Sequence, residues 1–155
     1  MSKLPLWVTI ALRDREQGLK EIPGSGAHPR IIAAHALTTL KATSDEVSWC
    51  SSYMCLLMYE CGLPYTPSAA ARSWYKYGNK LDKNNPVEGA IVVLRRGGSE
   101  DPNDEGPGHV GIYMGEGSNG KIRVLGGNQS DAVTITEMSN ANVFAYVWPK
   151  EYPLP

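Results

Sequence analysis

The hydrophobic periodicity of this chain changes once, near Gly78, and that change strongly constrains the fold. Before it, apolar residues recur at helical spacing; after it, they alternate as they do in strands. Helices are predicted over 5–18, 29–40, 48–61 and 68–77, and strands over 89–95, 109–115, 121–125, 132–137 and 143–148. A run of helices followed by a run of strands predicts an α+β protein with an antiparallel sheet of about five strands.

The length and charge of the chain bound its organisation and its partners. The 155 residues are enough for one core, and no repeat divides them, so 1–155 is predicted to be a single domain and a monomer. A net charge of −1 gives no reason to expect a nucleic acid or a membrane surface as a partner. The apolar stretch 4–12 ends at charged residues without a cleavage site. It is therefore predicted to be a helix and not a signal peptide, with synthesis in the cytoplasm.

Three cysteines, Cys50, Cys55 and Cys61, fall on the third predicted helix. Their odd number and local placement argue against a disulfide framework, and the lack of a CxxC pair argues against structural zinc. Cys50 is in the first turn, which Ser48 is predicted to cap, and there the unpaired backbone N–H groups and the helix dipole favour a thiolate. Cys50 is therefore a candidate nucleophile, although a buried cysteine is more often a small core residue. Cys55 and Cys61 are predicted to pack.

A histidine and an amide follow Cys50 in an order that suits nucleophilic catalysis. His109 stands at the start of a predicted strand and is the candidate base for the Cys50 thiol. Asn128 is the candidate that fixes the tautomer of His109, and Gln129 is the competing candidate for that role. His109 alone is also compatible with the start of a buried strand, and Asn128 with an ordinary turn.

Two tryptophans are candidates for the walls of a substrate groove. Trp49 directly precedes Cys50, and Trp74 lies on the next predicted helix. Gln129 is a third candidate for contact with the substrate. The plainer expectation for both tryptophans is the hydrophobic core, and His35 is likewise predicted to be a core or interface histidine.

The polar loop 97–108, called the acidic loop below, directly precedes His109. It carries oxygen-bearing side chains at Asp101, Asn103, Asp104 and Glu105. The plain prediction is a solvated surface. A weak calcium site is the alternative, but the spacing does not match an EF-hand. The chemistry predicted for Cys50 needs no cofactor and no metal.

In combination, these segments resemble the papain-like cell-wall hydrolases of the NlpC and CHAP groups, and in particular the small single-domain enzymes among phage endolysins and bacterial secreted effectors. The matching pieces run in order over nearly the whole chain: 21–24, 29–31, 45–53, 71–74, 108–111, 125–129 and 147–149. The resemblance implies a papain-like fold with the nucleophile at a helix N-terminus packed on the sheet. It also implies Cys50 as nucleophile, His109 as base and Asn128 as orienting group.

By the same resemblance, the substrate is an amide bond of peptidoglycan, either the N-acetylmuramoyl-L-alanine bond or one within the stem peptide, and cleavage lyses the wall. An effector would also have an immunity protein as partner. Two other functions compete: a non-catalytic wall-binding module, and a metal-dependent hydrolase that uses His28, His35 or His109. The intact set of Cys50, His109 and Asn128 disfavours the first, and the absence of HxxxH spacing disfavours the second.

Overall fold

Within the described residues, three α-helices precede a six-stranded antiparallel sheet. The computed structural model describes residues 4–23, 27–44 and 48–155, so Gly24 and 45–47 of the matching segments lie outside the described residues. The helices are α1 (Leu6–Glu16), α2 (Pro29–His35) and α3 (Cys50–Glu60), with short 3₁₀ helices at Ala71–Lys76 and Asn140–Asn142. The strands are β1 (Asn79–Lys80), β2 (Ile91–Arg95), β3 (Gly108–Glu116), β4 (Lys121–Gln129), β5 (Ala132–Ser139) and β6 (Val143–Trp148).

The sheet has the order β1-β6-β2-β3-β4-β5, and all of its strand pairs are antiparallel. The prediction of an α+β fold with an antiparallel sheet is confirmed. The predicted number of strands is one too few, because β1 is only two residues long and pairs with the end of β6. So short a strand has too few residues to show an alternating pattern.

Three local predictions are wrong, and side-chain hydrogen bonds explain two of them. The second helix ends at His35 instead of Leu40, since the Thr38 hydroxyl donates to the His35 carbonyl that a longer helix would use. The fourth helix is a 3₁₀ helix, Ala71–Lys76; the Ser68 hydroxyl accepts from the backbone N–H of Ala70 and holds the approach in a turn. The N-cap of α3 is Trp49, not Ser48.

Helix α3 lies at the centre of the molecule. Every residue from Cys50 to Met58 is buried, because α1 and α2 cover the side that faces away from the sheet. The predicted single apolar face is therefore wrong in extent: Cys55, which lies off that face, is fully buried and donates to the Thr66 carbonyl at 2.9 Å. Neither α3 nor any other described helix is long and apolar enough to cross a membrane.

A buried polar network fixes α3 to the two helices that cover it. The Tyr53 hydroxyl donates to Asp14 Oδ2 at 2.6 Å, and Asp14 is only 2% exposed. Arg30 of α2 pairs with the same carboxylate and also with Glu60 at the end of α3. Because a buried carboxylate is costly without partners, this set ties α1, α2 and α3 into one arrangement and so fixes the direction in which α3 begins.

Candidate active site

Three separate elements converge beside the first turn of α3. Cys50 is the first residue of α3, His109 the second residue of β3, and Gln129 the last residue of β4. Helix α3 packs on both strands. All three side chains are buried, with exposed fractions of 3%, 3% and 5% respectively. The structure brings the side chains of Cys50 and His109 together here, with a hydrogen bond between them.

The side-chain amide of Gln129 is held in one orientation. Its Nε2 group donates to the carbonyl of Val124 at 3.0 Å and to the carbonyl of Thr134 at 2.8 Å, and the Thr134 hydroxyl lies 3.1 Å away. Because backbone carbonyls only accept, the amide nitrogen must face them. The oxygen Oε1 therefore faces His109, 2.8 Å from Nε2 of the imidazole.

This contact determines which nitrogen of His109 carries the proton. Oε1 of Gln129 accepts only, so Nε2 of His109 must donate. In the neutral imidazole Nδ1 is then the unprotonated nitrogen, and it is the one available to the thiol of Cys50. The thiol can therefore pass its proton to the ring without any change of tautomer.

The pKa directions of Cys50 and His109 fit a thiolate–imidazolium pair. Burial, the largest single influence, raises the pKa of the Cys50 thiol. The hydrogen bond and charge of His109, with backbone hydrogen bonds from Val110 and Ser51, outweigh it and leave that pKa below its ordinary value. Burial also lowers the pKa of His109, but Cys50 and the hydrogen bond to Gln129 raise it above its ordinary value overall. Both shifts act in favour of proton transfer from the sulfur of Cys50 to the imidazole of His109.

Gln129, not Asn128, makes the hydrogen bond to His109, and this corrects the prediction for the orienting amide. The Asn128 side chain instead donates to Ser48 Oγ at 3.1 Å. Strand β4 contains a β-bulge: three steps from Gly126 to Gln129 match two steps on β5, and Asn128 has a φ of +57°. The extra residue places Gln129 on the face that regular alternation would give to Asn128.

The two glycines before Asn128 make room for the site. A Cβ at Gly126 would lie 2.6 Å from Gln129 Oε1, so any side chain there would push the amide away from His109. A Cβ at Gly127 would lie 2.5 Å from the ring of Trp49. The sequence pattern that looks like a simple turn is thus a packing requirement of Gln129 and of the residue before Cys50.

Trp49 and Trp74 do not line a groove, and this corrects their prediction as substrate-binding residues. Both are 0% exposed. Trp49 Nε1 donates to Glu21 Oε2 at 2.9 Å, and Trp74 Nε1 donates to Ser51 Oγ at 2.9 Å. The indoles are core side chains whose polar atoms are satisfied, and they hold the residues on either side of Cys50 in place. His35, predicted to be buried, is 0% exposed and bonds Ser52 through Nδ1.

Two clefts adjoin the buried pair, one on the side of each partner. The cleft on the Cys50 side has a volume of about 370 Å³ and is walled by the residues around Ala70 and by the end of the acidic loop. The cleft on the His109 side has a volume of about 400 Å³ and includes Asn128 and Gln129 in its lining. Both volumes are in the range of small-ligand sites. Arg96 lines both clefts.

Arg72 holds the acidic loop against the Cys50-side cleft. Arg72 is only 6% exposed. Its guanidinium donates to five backbone carbonyls of the loop. The acceptors are the carbonyls of Gly97, Ser99, Asp101, Asp104 and Pro107. The guanidinium carbon also lies 5.0 Å from the centre of the Phe144 ring. A single buried cation thereby sets the shape of the loop.

Two acidic side chains of the loop make hydrogen bonds within the loop itself. Asp101 Oδ1 accepts from the backbone of Asn103, and Asp104 Oδ2 accepts from the Ser99 hydroxyl. Across the described residues, no group of three or more histidine, cysteine or acidic side chains is arranged to hold a metal ion. The hydrogen bonds from Arg72 to the backbone carbonyls are thus the contacts that hold the loop in shape.

A protein-family model described as "CHAP domain" matches residues 42–128, which is more than half of the chain. The chain belongs to the CHAP domain family. CHAP domains are typically hydrolases that act on peptidoglycan, so the resemblance of the sequence to CHAP-type cell-wall hydrolases is confirmed. The match includes Cys50 and His109 and ends one residue before Gln129. No curated protein matches the chain.

Two arginines of this CHAP domain had no predicted role. Arg72 is part of a matching segment, and an arginine between Ala71 and Trp74 in a short apolar helix is the signal that it is buried. Arg96 stands at the end of a strand beside another arginine, which sequence reasoning treats as a solvated pair. Its position between the two clefts depends on the loop that follows it.

Iodoacetamide is expected to label Cys50 at least about 100-fold faster than the other two thiols at pH 7. Burial, the main cause, raises the pKa of Cys55 to about 12 and the pKa of Cys61 to about 11, so on the order of 10⁻⁴ or less of either is thiolate at pH 7. The lowered pKa of Cys50 gives its thiol a much larger thiolate fraction at the same pH. The rate is measured residue by residue by peptide mass spectrometry.

The pH dependence of this labelling follows from the same directions. The Cys50 rate falls only when the pH drops through its lowered pKa, and the ion pair lasts until the pH rises through the raised pKa of His109. A plateau is therefore expected between these two pKa values. Urea-unfolded protein, in which the three thiols react alike, is the control. Equal rates in the folded protein would contradict the ion pair.

Arg72→Lys is expected to loosen the acidic loop. An ammonium group cannot reach the five carbonyls that the planar guanidinium bonds, so the loss of stability is about 2 kcal/mol or more. A glutamate-specific protease should then cleave after the exposed Glu100 and Glu105 of the variant much faster than in the wild type. Arg15→Lys, an exposed helix position, is the matched control. Unchanged cleavage and unchanged urea midpoint would show that the loop does not depend on Arg72.

Proposed function

We propose that the protein is a cysteine hydrolase that cleaves an amide bond of peptidoglycan. Cys50 is the nucleophile, His109 the acid–base group and Gln129 the residue that positions His109. One observation carries the proposal: a buried thiol, imidazole and amide lie in series at the start of α3, between two clefts. The membership of the CHAP family supports peptidoglycan as the substrate.

In the first half of the reaction, the Cys50 thiolate attacks the carbonyl carbon of the scissile amide. The carbonyl π electrons move to oxygen and form a tetrahedral intermediate. The imidazolium of His109 then donates its proton to the nitrogen of the leaving group, and the C–N bond breaks. The amine departs, and a thioester between Cys50 and the acyl part of the substrate remains.

In the second half, water takes the place of the amine. Neutral His109 accepts a proton from the water as it attacks the thioester carbon. The C–S bond breaks, the acyl group leaves as a carboxylic acid that gives up its proton to solvent, and the thiolate–imidazolium pair is restored. Because Gln129 accepts from the same nitrogen of His109 throughout, the ring keeps its orientation while Nδ1 exchanges protons with both partners.

The start of α3 supplies charge stabilisation for this sequence. The first backbone N–H groups of an α-helix have no partner within the helix, and the N-terminus carries partial positive charge. Cys50 is the first residue of α3, and the backbone of Ser51 already bonds its sulfur. An oxyanion formed on a carbonyl attacked by Cys50 forms beside the same positive end of the helix.

The proposal covers two bonds, the N-acetylmuramoyl-L-alanine amide and a peptide bond of the stem. It also places the enzyme at the bacterial wall, after release as a phage endolysin or delivery as a secreted effector, and as an effector it would bind an immunity protein. Mass spectrometry of digested peptidoglycan separates the two bonds. A new amino group on L-alanine identifies the amidase, and a new amino group within the stem identifies the endopeptidase.

Cys50→Ala is expected to abolish the release of new amino groups from purified sacculi, by a factor of about 10³ or more, because no other group can form the thioester. Cys61→Ala, which changes a half-buried thiol at the C-cap of the same helix, is the matched control and should retain activity. Both variants should keep the wild-type circular dichroism spectrum. A folded Cys50→Ala protein with wild-type activity would refute the proposal. A wild-type protein that binds sacculi and releases no new amino groups would refute it as well.

Gln129→Ala and Asn128→Ala test which amide serves His109. The first is expected to lower kcat roughly 10- to 100-fold, a part of what a positioned acid–base group supplies, and the second less than about threefold. Because the hydrogen bond from Gln129 raises the pKa of His109, its loss should also move the alkaline limb of the pH–rate profile to lower pH. A larger defect in Asn128→Ala, or an unmoved limb in Gln129→Ala, would reverse the assignment.

A further inference from the structure

Arg96 lies at the junction of the two clefts. It directly follows β2, and its backbone N–H donates to the Pro107 carbonyl at the end of the acidic loop, at 3.4 Å. Its side chain is exposed and lines the cleft on the Cys50 side as well as the cleft on the His109 side. A substrate that runs from one cleft to the other therefore passes this guanidinium.

The charge of Arg96 has no counter-ion in the described part of the chain. No ion pair or side-chain hydrogen bond is made by its guanidinium there, whereas its neighbour Arg95 donates to the Gly98 carbonyl. Burial is the largest influence that lowers the pKa of His109, and the positive charge of Arg96 acts in the same direction. The guanidinium of Arg96 is thus near enough to His109 for its charge to act on the imidazole.

The rest of the two clefts has the same electrostatic character. Among the described residues that line them, none is Asp or Glu, although the whole chain has 16 acidic residues and a net charge of −1. The His109-side cleft adds the neutral donors and acceptors of Asn128, Ser130, Ser139 and Asn142. In a chain whose net charge is slightly negative, the described lining of the clefts beside Cys50 is therefore cationic and free of carboxylates.

We propose that Arg96 is the carboxylate-binding residue of the substrate site, and that it takes a free carboxylate carried by a residue next to the amide bond that Cys50 attacks. The assignment rests on the proposed function and specifies its substrate: a peptide that is anionic beside the scissile bond. A guanidinium binds a carboxylate through two parallel hydrogen bonds, so it fixes the orientation of the substrate as well as its charge.

The anionic site can be tested without any peptidoglycan, by comparing two alkylating agents. Iodoacetate and iodoacetamide both transfer a carbon to the Cys50 sulfur with loss of iodide, but only iodoacetate carries a carboxylate. The ratio of their rates at Cys50 is measured in the wild type, in Arg96→Gln and in Arg15→Gln, which removes an exposed helix charge far along the chain from the clefts. Arg96→Gln is expected to lower the ratio roughly fivefold, and Arg15→Gln to leave it unchanged.

Two results of this comparison would overturn the proposal. One is an unchanged ratio in Arg96→Gln. The other is an equal fall in both variants, which would show only the effect of net charge. In Arg96→Lys the ratio of the iodoacetate rate to the iodoacetamide rate should stay close to the wild-type value. The lysine keeps the positive charge near Cys50, although it loses the two parallel hydrogen bonds of the guanidinium.

The substrate carboxylate is tested with one preparation of sacculi used in two forms, native and with its carboxylates converted to carboxamides by carbodiimide and ammonia. Arg96→Gln is expected to lower kcat/KM on native sacculi roughly 10-fold or more, as the loss of a charge-assisted pair predicts. On amidated sacculi the variant and the wild type should differ less than about twofold. An equal defect on both forms would overturn the assignment of the carboxylate.

The two experiments separate this inference from the proposed function. A changed alkylation ratio together with a wild-type protein that does not hydrolyse sacculi would refute peptidoglycan as the substrate and keep the anionic site. An active wild type with an unchanged ratio would refute the role of Arg96 and keep the hydrolase.

Discussion

The 2.8 Å hydrogen bond between His109 Nε2 and Gln129 Oε1 is the contact on which the chemistry of this site depends. It is effective because the other end of the amide is anchored to strand carbonyls on β4 and β5. The amide cannot turn over without losing both of these hydrogen bonds, because its oxygen would then face two carbonyls that only accept. The sheet thereby imposes a tautomer on His109, and the tautomer imposes a direction on proton transfer from Cys50.

The helix side of the site is fixed by a different kind of interaction. Helix α3 is buried along most of its length, and its direction is set by the polar contacts of Tyr53 and by the packing of Trp49 and Trp74. The thiol is brought to His109 by the helix, and the imidazole is brought to the thiol by the strand. Since each partner is held by its own element, the pairing of the thiol with the imidazole is a consequence of how α3 packs on β3 and β4.

Sequence reasoning found the parts of the site that depend on local spacing. Cys50 at a helix start and His109 at a strand start are visible in short windows, and so is the change from helices to strands. The sequence favours Asn128 over Gln129, because the bulge in β4 forms only when β4 pairs with β5. The bulge reverses the alternation of side chains that a regular strand would have. Arg72 was missed since its partners are backbone carbonyls 25 to 35 residues away, which carry no sequence signal.

The five carbonyls gathered by Arg72 have a consequence for how a substrate meets the cleft. They belong to the segment that walls the Cys50 side, and their geometry is complete once the 3₁₀ helix packs on β3. The wall is therefore preorganised. A peptide that enters this cleft does not have to order the twelve residues of the loop. The conformational entropy of the loop is lost when the chain folds, so its loss does not weaken substrate binding.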